Sequence, residues 1–202
     1  MTHSKPVALI LAGPNGAGKT TISSTFVGPS VEFVNADLIG AELRREDPQR
    51  PGADVTAGRI VLQRLRVIAG ERRSFCFETN LASKALVGRI DNLRADGYDV
   101  AMLFVSVSSV DLALARVAAR VAAGGHDVPE ETVRRRFRAG LRNFFGVYRL
   151  RVDEWRLFDN SAGEPILLAE GKADMLSIFR QAEWDHLVVA SGLPDSRLQW
   201  DT

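Results

Sequence analysis

Short, unbroken apolar runs alternate along this chain with stretches in which apolar residues recur every three or four positions. Val7 to Ala12 is apolar throughout and lies between Pro6 and Gly13, the pattern of a strand buried on both faces and therefore central in its sheet. A helix is predicted from Lys19 to about Phe26, stopped by Gly28-Pro29, and Val31 to Asn35 reads as a second strand. From Asp54 to Ala69, Val55, Ile60, Val61, Leu65 and Ile68 keep helical spacing, and Gly70 can close that helix. Ser74 to Phe77 follows as a third strand, Lys84 to Ala95 as a helix, Asp99 to Val107 as a fourth strand, and Val110 to Ala123 as a helix broken at Gly124-Gly125. Pro129-Glu130-Glu131 opens a further helix to about Phe145, with proline near its first position and acids in its first turn. Trp155 to Phe158 and Ile166 to Leu168 read as late strands about a turn at Ser161-Ala162-Gly163, before a last helix near Ala173 to Trp184. Alternation of this kind predicts an α/β fold with a central parallel sheet and helices on both faces, in which ligands bind beyond the carboxyl ends of the strands.

The 202 residues predict one domain spanning 1–202, and 46% apolar with 25% charged residues match an ordinary globular chain. The longest apolar runs, Val7 to Ala12 and Ala101 to Val105, are far shorter than a membrane helix needs. Val7 to Ala12 runs directly into Gly13-Pro14-Asn15-Gly16, which reads as a first strand and not as a secretory signal. The single cysteine, Cys76, stands between Phe75 and Phe77, where a buried structural thiol and a reducing, cytoplasmic setting are expected. A formal charge of +1 carries no signal for nucleic acid or membrane. Its distribution is uneven, since ten arginines face five acids between Arg116 and Arg156.

Gly13-Pro14-Asn15-Gly16-Ala17-Gly18-Lys19-Thr20 satisfies G-x-x-x-x-G-K-[ST], directly after a strand and before a helix. A chance match in a chain of this length has a probability of roughly one per cent before that context is counted, so the segment is read as a phosphate-binding loop. Its glycines let consecutive backbone N–H groups approach a phosphate at the positive end of the following helix. Lys19 supplies a point charge between β- and γ-phosphates, and Thr20 a hydroxyl for Mg2+. ATP or GTP with Mg2+ is therefore the expected ligand. The chain has no N-K-x-D for guanine and no L-S-G-G-Q, which turns the reading toward a compact phosphotransferase with a lid at about 116–145.

Transfer to a hydroxyl needs an acceptor for its proton, and Asp37, past the end of the second strand, is placed to be that base. The competing role for Asp37 is an N-cap on Leu38-Ile39-Gly40. Glu78 closes the third strand on the same sheet edge, where an acid can serve a Mg2+ site or simply cap the surface. Arg116 and Arg120 lie four apart on the helix leading into Gly124-Gly125-His126. Beyond the break, Arg134, Arg138 and Arg142 run beside an apolar stripe of Val133, Phe137, Leu141 and Phe144. A lid with cations on both arms can close guanidinium groups onto phosphates, and His126 can reach a phosphate as it shuts. Solvated helix faces and an incidental loop histidine are the alternatives. His3 and His186 give no metal spacing with His126.

The chain resembles the zeta toxin and UDP-N-acetylglucosamine kinase family of P-loop kinases. The resemblance is carried by Ala12 to Thr21, Val34-Asn35-Ala36-Asp37, Phe77-Glu78-Thr79-Asn80-Leu81, Gly124 to Glu130 and Trp155 to Ser161, in the family's order over about residues 7–170. It implies a three-layer P-loop kinase fold with a helical lid. It also implies a nucleotide site built from Gly13, Asn15, Gly16, Ala17, Gly18, Lys19, Thr20 and Thr21 with Arg116, Arg120 and His126, Asp37 as base, and Thr20 and Glu78 beside the metal. Arg120, with Arg116 as second candidate, matches a lid arginine, whereas the large plasmid toxins carry another arginine where this chain has His126. The implied activity is transfer of the γ-phosphate of ATP or GTP to a hydroxyl of a small molecule such as a UDP-activated sugar, and the implied partner is an antitoxin protein. Other readings on the same scaffold are a nucleoside, nucleotide or metabolite kinase and a non-catalytic nucleotide-dependent switch.

Overall fold

A computed structural model describes residues 5–28, 31–47 and 49–194. His3 and Pro29, named above, lie outside them. The elements in order are β1 (Val7–Ala12), α1 (Lys19–Phe26), β2 (Glu32–Val34), α2 (Ala36–Glu46), α3 (Ala53–Gly70), β3 (Phe75–Thr79), α4 (Val87–Ala95) and β4 (Asp99–Ser106). There follow α5 (Val110–Ala122), α6 (Glu130–Gly146), a 3-10 turn at Tyr148–Leu150, β5 (Glu154–Asp159), β6 (Ile166–Lys172), β7 (Met175–Ile178) and α7 (Gln181–Ser191). The strands form one sheet in the order β2-β3-β1-β4-β5-β6-β7, so the apolar β1 is internal, as its run of six apolar residues predicts.

Side chains alternate across this sheet with period two. Ala8 and Ile10 of β1, Phe75 and Phe77 of β3, Val100, Met102 and Phe104 of β4, and Trp155 and Leu157 of β5 face the larger core beneath α3 to α7. Leu11, Cys76, Leu103, Val105 and Phe158 face the opposite side, where α1 contributes Ile22. The second helical layer is thus the eight-residue α1. Beyond its reach the same sheet face turns polar, with Arg156–Glu170 and Lys172–Glu154 ion pairs at 3.2 and 3.4 Å. Cys76 is fully buried, and desolvation first, then the neighbouring Glu78 carboxylate, pushes its thiol up to about 12.

The structure departs from the expected elements in three places. The segment after β2 forms α2, an eleven-residue helix whose N-cap is Asn35: its Oδ1 accepts the N–H groups of Asp37 and Leu38 at 2.7 and 3.3 Å. The capping role considered for Asp37 therefore belongs to Asn35, and Asp37 is free to face outward from the first turn. Beyond β5 the sheet ceases to be parallel, because β5–β6 and β6–β7 are antiparallel. Parallel neighbours require a long crossover, and the short connections after Asp159 and Lys172 permit only hairpins. Finally, no helix begins at Ala173. Ala173, at φ 50°, turns the chain into β7, where Leu176 faces Gly171 and Ile178 faces Ala169, and the helix starts only at Gln181.

Candidate active site

The loop between β1 and α1 is shaped by backbone approach. Gly13 has φ 139°, and a Cβ there would lie 2.0 Å from the Val105 carbonyl oxygen; at Gly16, with φ 82°, it would lie 2.4 Å from that of Ala113. Any side chain at either position would drive the loop away from β4 and α5. Lys19 Nζ is folded back to donate to the Pro14 carbonyl at 2.9 Å, and Asn160 Nδ2 donates to the Ala17 carbonyl at 2.8 Å, tying the end of β5 to the loop. The α1 N-terminus carries no side-chain cap and no acid in its first turn, in contrast to the Asn35-capped α2 and the Ser109-capped α5. Its first amides and positive end are left for an anion. Thr21 follows on the exposed side of that turn.

Glu78, next to last in β3, is the hub of the site. Its carboxylate lies 3.3 Å from Lys19 Nζ and accepts hydrogen bonds from the Thr20 hydroxyl at 3.0 Å and from Asn35 Nδ2 at 2.7 Å. Lys19 is 7% exposed, so this pair sits in a medium where charge interactions are little screened. Among the described residues there is no group of three His, Cys, Asp or Glu side chains able to hold a metal by itself. A hydroxyl and one carboxylate beside a phosphate cradle are nevertheless the donor set that suits Mg2+, which takes most of its oxygens from phosphates and water. Thr20 and Glu78, 3.0 Å apart, fit that requirement.

These residues open onto a cavity of about 230 Å³ lined by Asn15, Lys19 and Glu78 on one side and by Asn35, Ala36, Asp37 and Asp54 on another. His126 and Val128 of the loop joining α5 to α6, and Arg136 of α6, close it. His126 Nε2 stands 3.9 Å from Asp54 Oδ2, so the lid loop reaches the start of α3. Of the residues named from the sequence, Asn15, Lys19, Asp37, Glu78 and His126 line this cavity, and Arg116 and Arg120 do not. Arg116 donates to the Ser161 carbonyl at 2.9 Å, and the exposed Arg120 donates to the His126 carbonyl at 3.0 Å, holding the lid turn. Arg134 is bound to Glu130 and Asp111, and Arg142 donates to the Ser191 carbonyl of α7. The lid arginine that faces the cleft is Arg136, whose Nη1 donates to Asn15 Oδ1 at 3.3 Å. Sequence reasoning missed it because the spacing of four singled out Arg134, Arg138 and Arg142. The available signal was Gly140, a mid-helix glycine one turn beyond Arg136 that marks close backbone approach.

A second groove, of about 530 Å³, runs from the same place between α3 and α6 and shares Ala36, Glu78, Thr79, Asn80 and Arg136 with the first. Val55, Leu62, Leu65 and Leu86 give it apolar walls, and Arg59 and Arg135 add charge. Glu78, already engaged by Lys19, Thr20 and Asn35, is its only acid among the described lining residues.

Residues 9–147 match the model of an AAA-domain family, AAA_33. The chain belongs to that family. An uncharacterized protein of Haemophilus influenzae is 29% identical over 131 residues, covering 64% of this chain and 91% of its own length. A chain of the AvrRxo1-ORF1:-ORF2 complex with ATP shares the fold at TM-score 0.71 and 16% identity, over 91% of this chain and 63% of that one. The present chain therefore spans less than two thirds of that neighbour. A chain of the PezAT toxin-antitoxin system of Streptococcus pneumoniae is similar at TM-score 0.63 and 14% identity, over 98% of this chain and 88% of its own. The mostly parallel seven-stranded sheet flanked by helices is the fold this chain shares with these neighbours. No described helix is long and apolar enough to cross a membrane.

Proposed function

We propose that this chain is a kinase of the zeta toxin type that transfers the γ-phosphate of ATP, or of GTP, to a hydroxyl of a small molecule. The observation that carries the reading is the common cavity, in which Asp37 on the first turn of α2 faces the same space as Lys19, Asn15 and Arg136. An acceptor hydroxyl placed there gives its proton to the Asp37 carboxylate as its oxygen bonds to the γ-phosphorus. The bond from that phosphorus to the β–γ bridging oxygen breaks, and the nucleoside diphosphate leaves. Lys19 and the uncapped amides of α1 hold the phosphates, and Arg136 lies where it can stabilise charge on the transferred group. Mg2+, held by Thr20 and Glu78, would neutralise phosphate charge.

The apolar walls of the adjoining groove and its Arg59 and Arg135 favour an acceptor with an apolar or ring-like body and an anionic group, as a UDP-activated sugar has. The resemblance to PezAT and AvrRxo1-ORF1:-ORF2 supports an antitoxin-like protein partner, and the single buried thiol supports a cytoplasmic setting for one domain of 1–202. The test is incubation with ATP, Mg2+ and a cell metabolite extract, followed by mass spectrometry for additions of one phosphate. Wild type should phosphorylate a metabolite and Lys19→Ala should not. Asp37→Asn should keep nucleotide affinity and lose roughly 10²-fold in transfer. Phosphate released only to water would refute the kinase reading and favour a nucleotide-dependent switch.

A further inference from the structure

Arg136, Gly140 and Asn143 lie at i, i+4 and i+7 of α6, on one face of the helix, and meet the phosphate-binding loop or the connection after β3. Arg136 reaches Asn15. Gly140 packs so closely that a Cβ there would lie 2.7 Å from the Asn80 carbonyl oxygen. Asn143, 7% exposed, donates from Nδ2 to the Leu81 carbonyl at 2.6 Å. Leu81 is 1% exposed and holds φ 51°, a left-handed conformation that a bulky side chain avoids unless its surroundings impose it. On its other side the segment is tied to the phosphate loop, since the Gly13 N–H donates to the Thr79 carbonyl at 3.2 Å. Within it, the Leu81 N–H donates to Thr79 Oγ1 and the Ala82 N–H to Asn80 Oδ1. Thr79 and Asn80, held in this way, form the sill shared by the nucleotide cavity and the acceptor groove.

We propose that Asn143 is a positioning residue for the acceptor: by binding the Leu81 carbonyl it keeps Leu81 left-handed and fixes Thr79 and Asn80 on the sill. The same helix face that sets Arg136 against the phosphate loop thereby sets the near wall of the acceptor groove. Donor and acceptor are then aligned by one rigid element, at the precision that in-line transfer requires. The Asn143–Leu81 hydrogen bond itself involves none of Lys19, Thr20 and Glu78, so its loss should weaken acceptor binding more than nucleotide binding.

The functional half of this proposal rests on the kinase reading, and the structural half does not. The test compares wild type with Asn143→Leu, which keeps volume and removes the amide, both loaded with Mg2+ and a non-hydrolysable ATP analogue. Hydrogen exchange at Leu81 and Ala82 should quicken by roughly tenfold or more in the variant, as expected when one buried hydrogen bond is lost, with the amides of Lys19 and Thr20 unchanged. With UDP-N-acetylglucosamine as acceptor probe, its KM should rise about tenfold while the KM for ATP stays within about twofold, a split that general destabilisation does not produce. Gly140→Ala, which presses on the Asn80 carbonyl without touching the hydrogen bond, should show the same split and covers the case in which Asn143→Leu fails to fold. Unchanged exchange at residues 79–82, or equal changes in both KM values, overturns the proposal. Altered exchange in a protein whose wild type phosphorylates nothing upholds the clamp and counts against the kinase reading instead.

Discussion

Replacing Arg136 by alanine removes the one guanidinium that, among the described residues, lines the cavity of Lys19 and Asp37. Its hydrogen bond to Asn15 is 3.3 Å, beyond the usual N–H···O range, so little folding energy depends on it. The variant should lose under about 1 kcal/mol of stability, a fall in Tm of roughly 2 to 4 °C for a chain of this size. In the transition state the same fork can donate two hydrogen bonds to charged phosphoryl oxygens, each contributing about 1.5 to 3 kcal/mol in a site shielded from water. Their sum of about 4 kcal/mol, at about 1.4 kcal/mol per decade, predicts a kcat lower by roughly 10³, the low end of arginine-finger effects. Arg136→Lys should recover little, because a point charge does not reproduce the fork. The assay is single-turnover transfer of labelled γ-phosphate into the metabolite fraction, with nucleotide affinity measured separately and expected to change less. Arg134→Ala is the control, since Arg134 is engaged by Glu130 and Asp111 away from the cavity. If Arg136→Ala turns over within about threefold of wild type while Arg120→Ala shows the large loss, the assignment is refuted and the lid rearranges to bring Arg120 to the phosphates.

Gly13→Ala should lower stability by on the order of 3 kcal/mol or abolish soluble expression, because its Cβ would stand 2.0 Å from the Val105 carbonyl oxygen; a Tm within about 3 °C of wild type would contradict this. Cys76, with its thiol raised to about 12, should resist a disulfide reagent at pH 8 in the native protein and react only on unfolding, so rapid native labelling would show that the face under α1 opens. Glu32 is held below the ordinary 4.5, chiefly by its hydrogen bond from Arg64 and with help from Arg73. Its contribution to stability is present above that pH and lost as the pH falls through its lower folded-state value. Glu32→Gln should therefore differ from wild type in denaturant titrations at pH 7 and converge with it in acid, and a difference that persists in acid would exclude the ionic cause.

Local patterns carried much of the molecule. The run Val7 to Ala12 and the helical spacing of Val61, Leu65 and Ile68 match their elements, because burial on both sheet faces or along one helix stripe demands those periods. The phosphate loop was legible for a similar reason: its glycines answer to contacts that no other residue permits, and Lys19 and Thr20 stand at fixed offsets from them. Asp37 and Glu78 could be placed because a parallel sheet delivers strand ends to one edge.

What the tertiary structure alone decided were choices among chemically equal residues. Ten arginines between Arg116 and Arg156 have the same composition signal, and only the packing of α6 against the β3–α4 connection turns Arg136 into the cleft and Arg134 out of it. Leu81 gives no sign in sequence of its left-handed backbone, which is imposed by Asn143 from 62 positions away. Likewise β7 replaces the start of a predicted helix because β6, paired to β5 on one side, offers its other edge for pairing. Periodicity reports which side of an element is buried; which partner buries it, and where a flexible charged side chain then points, depends on contacts distant in the chain.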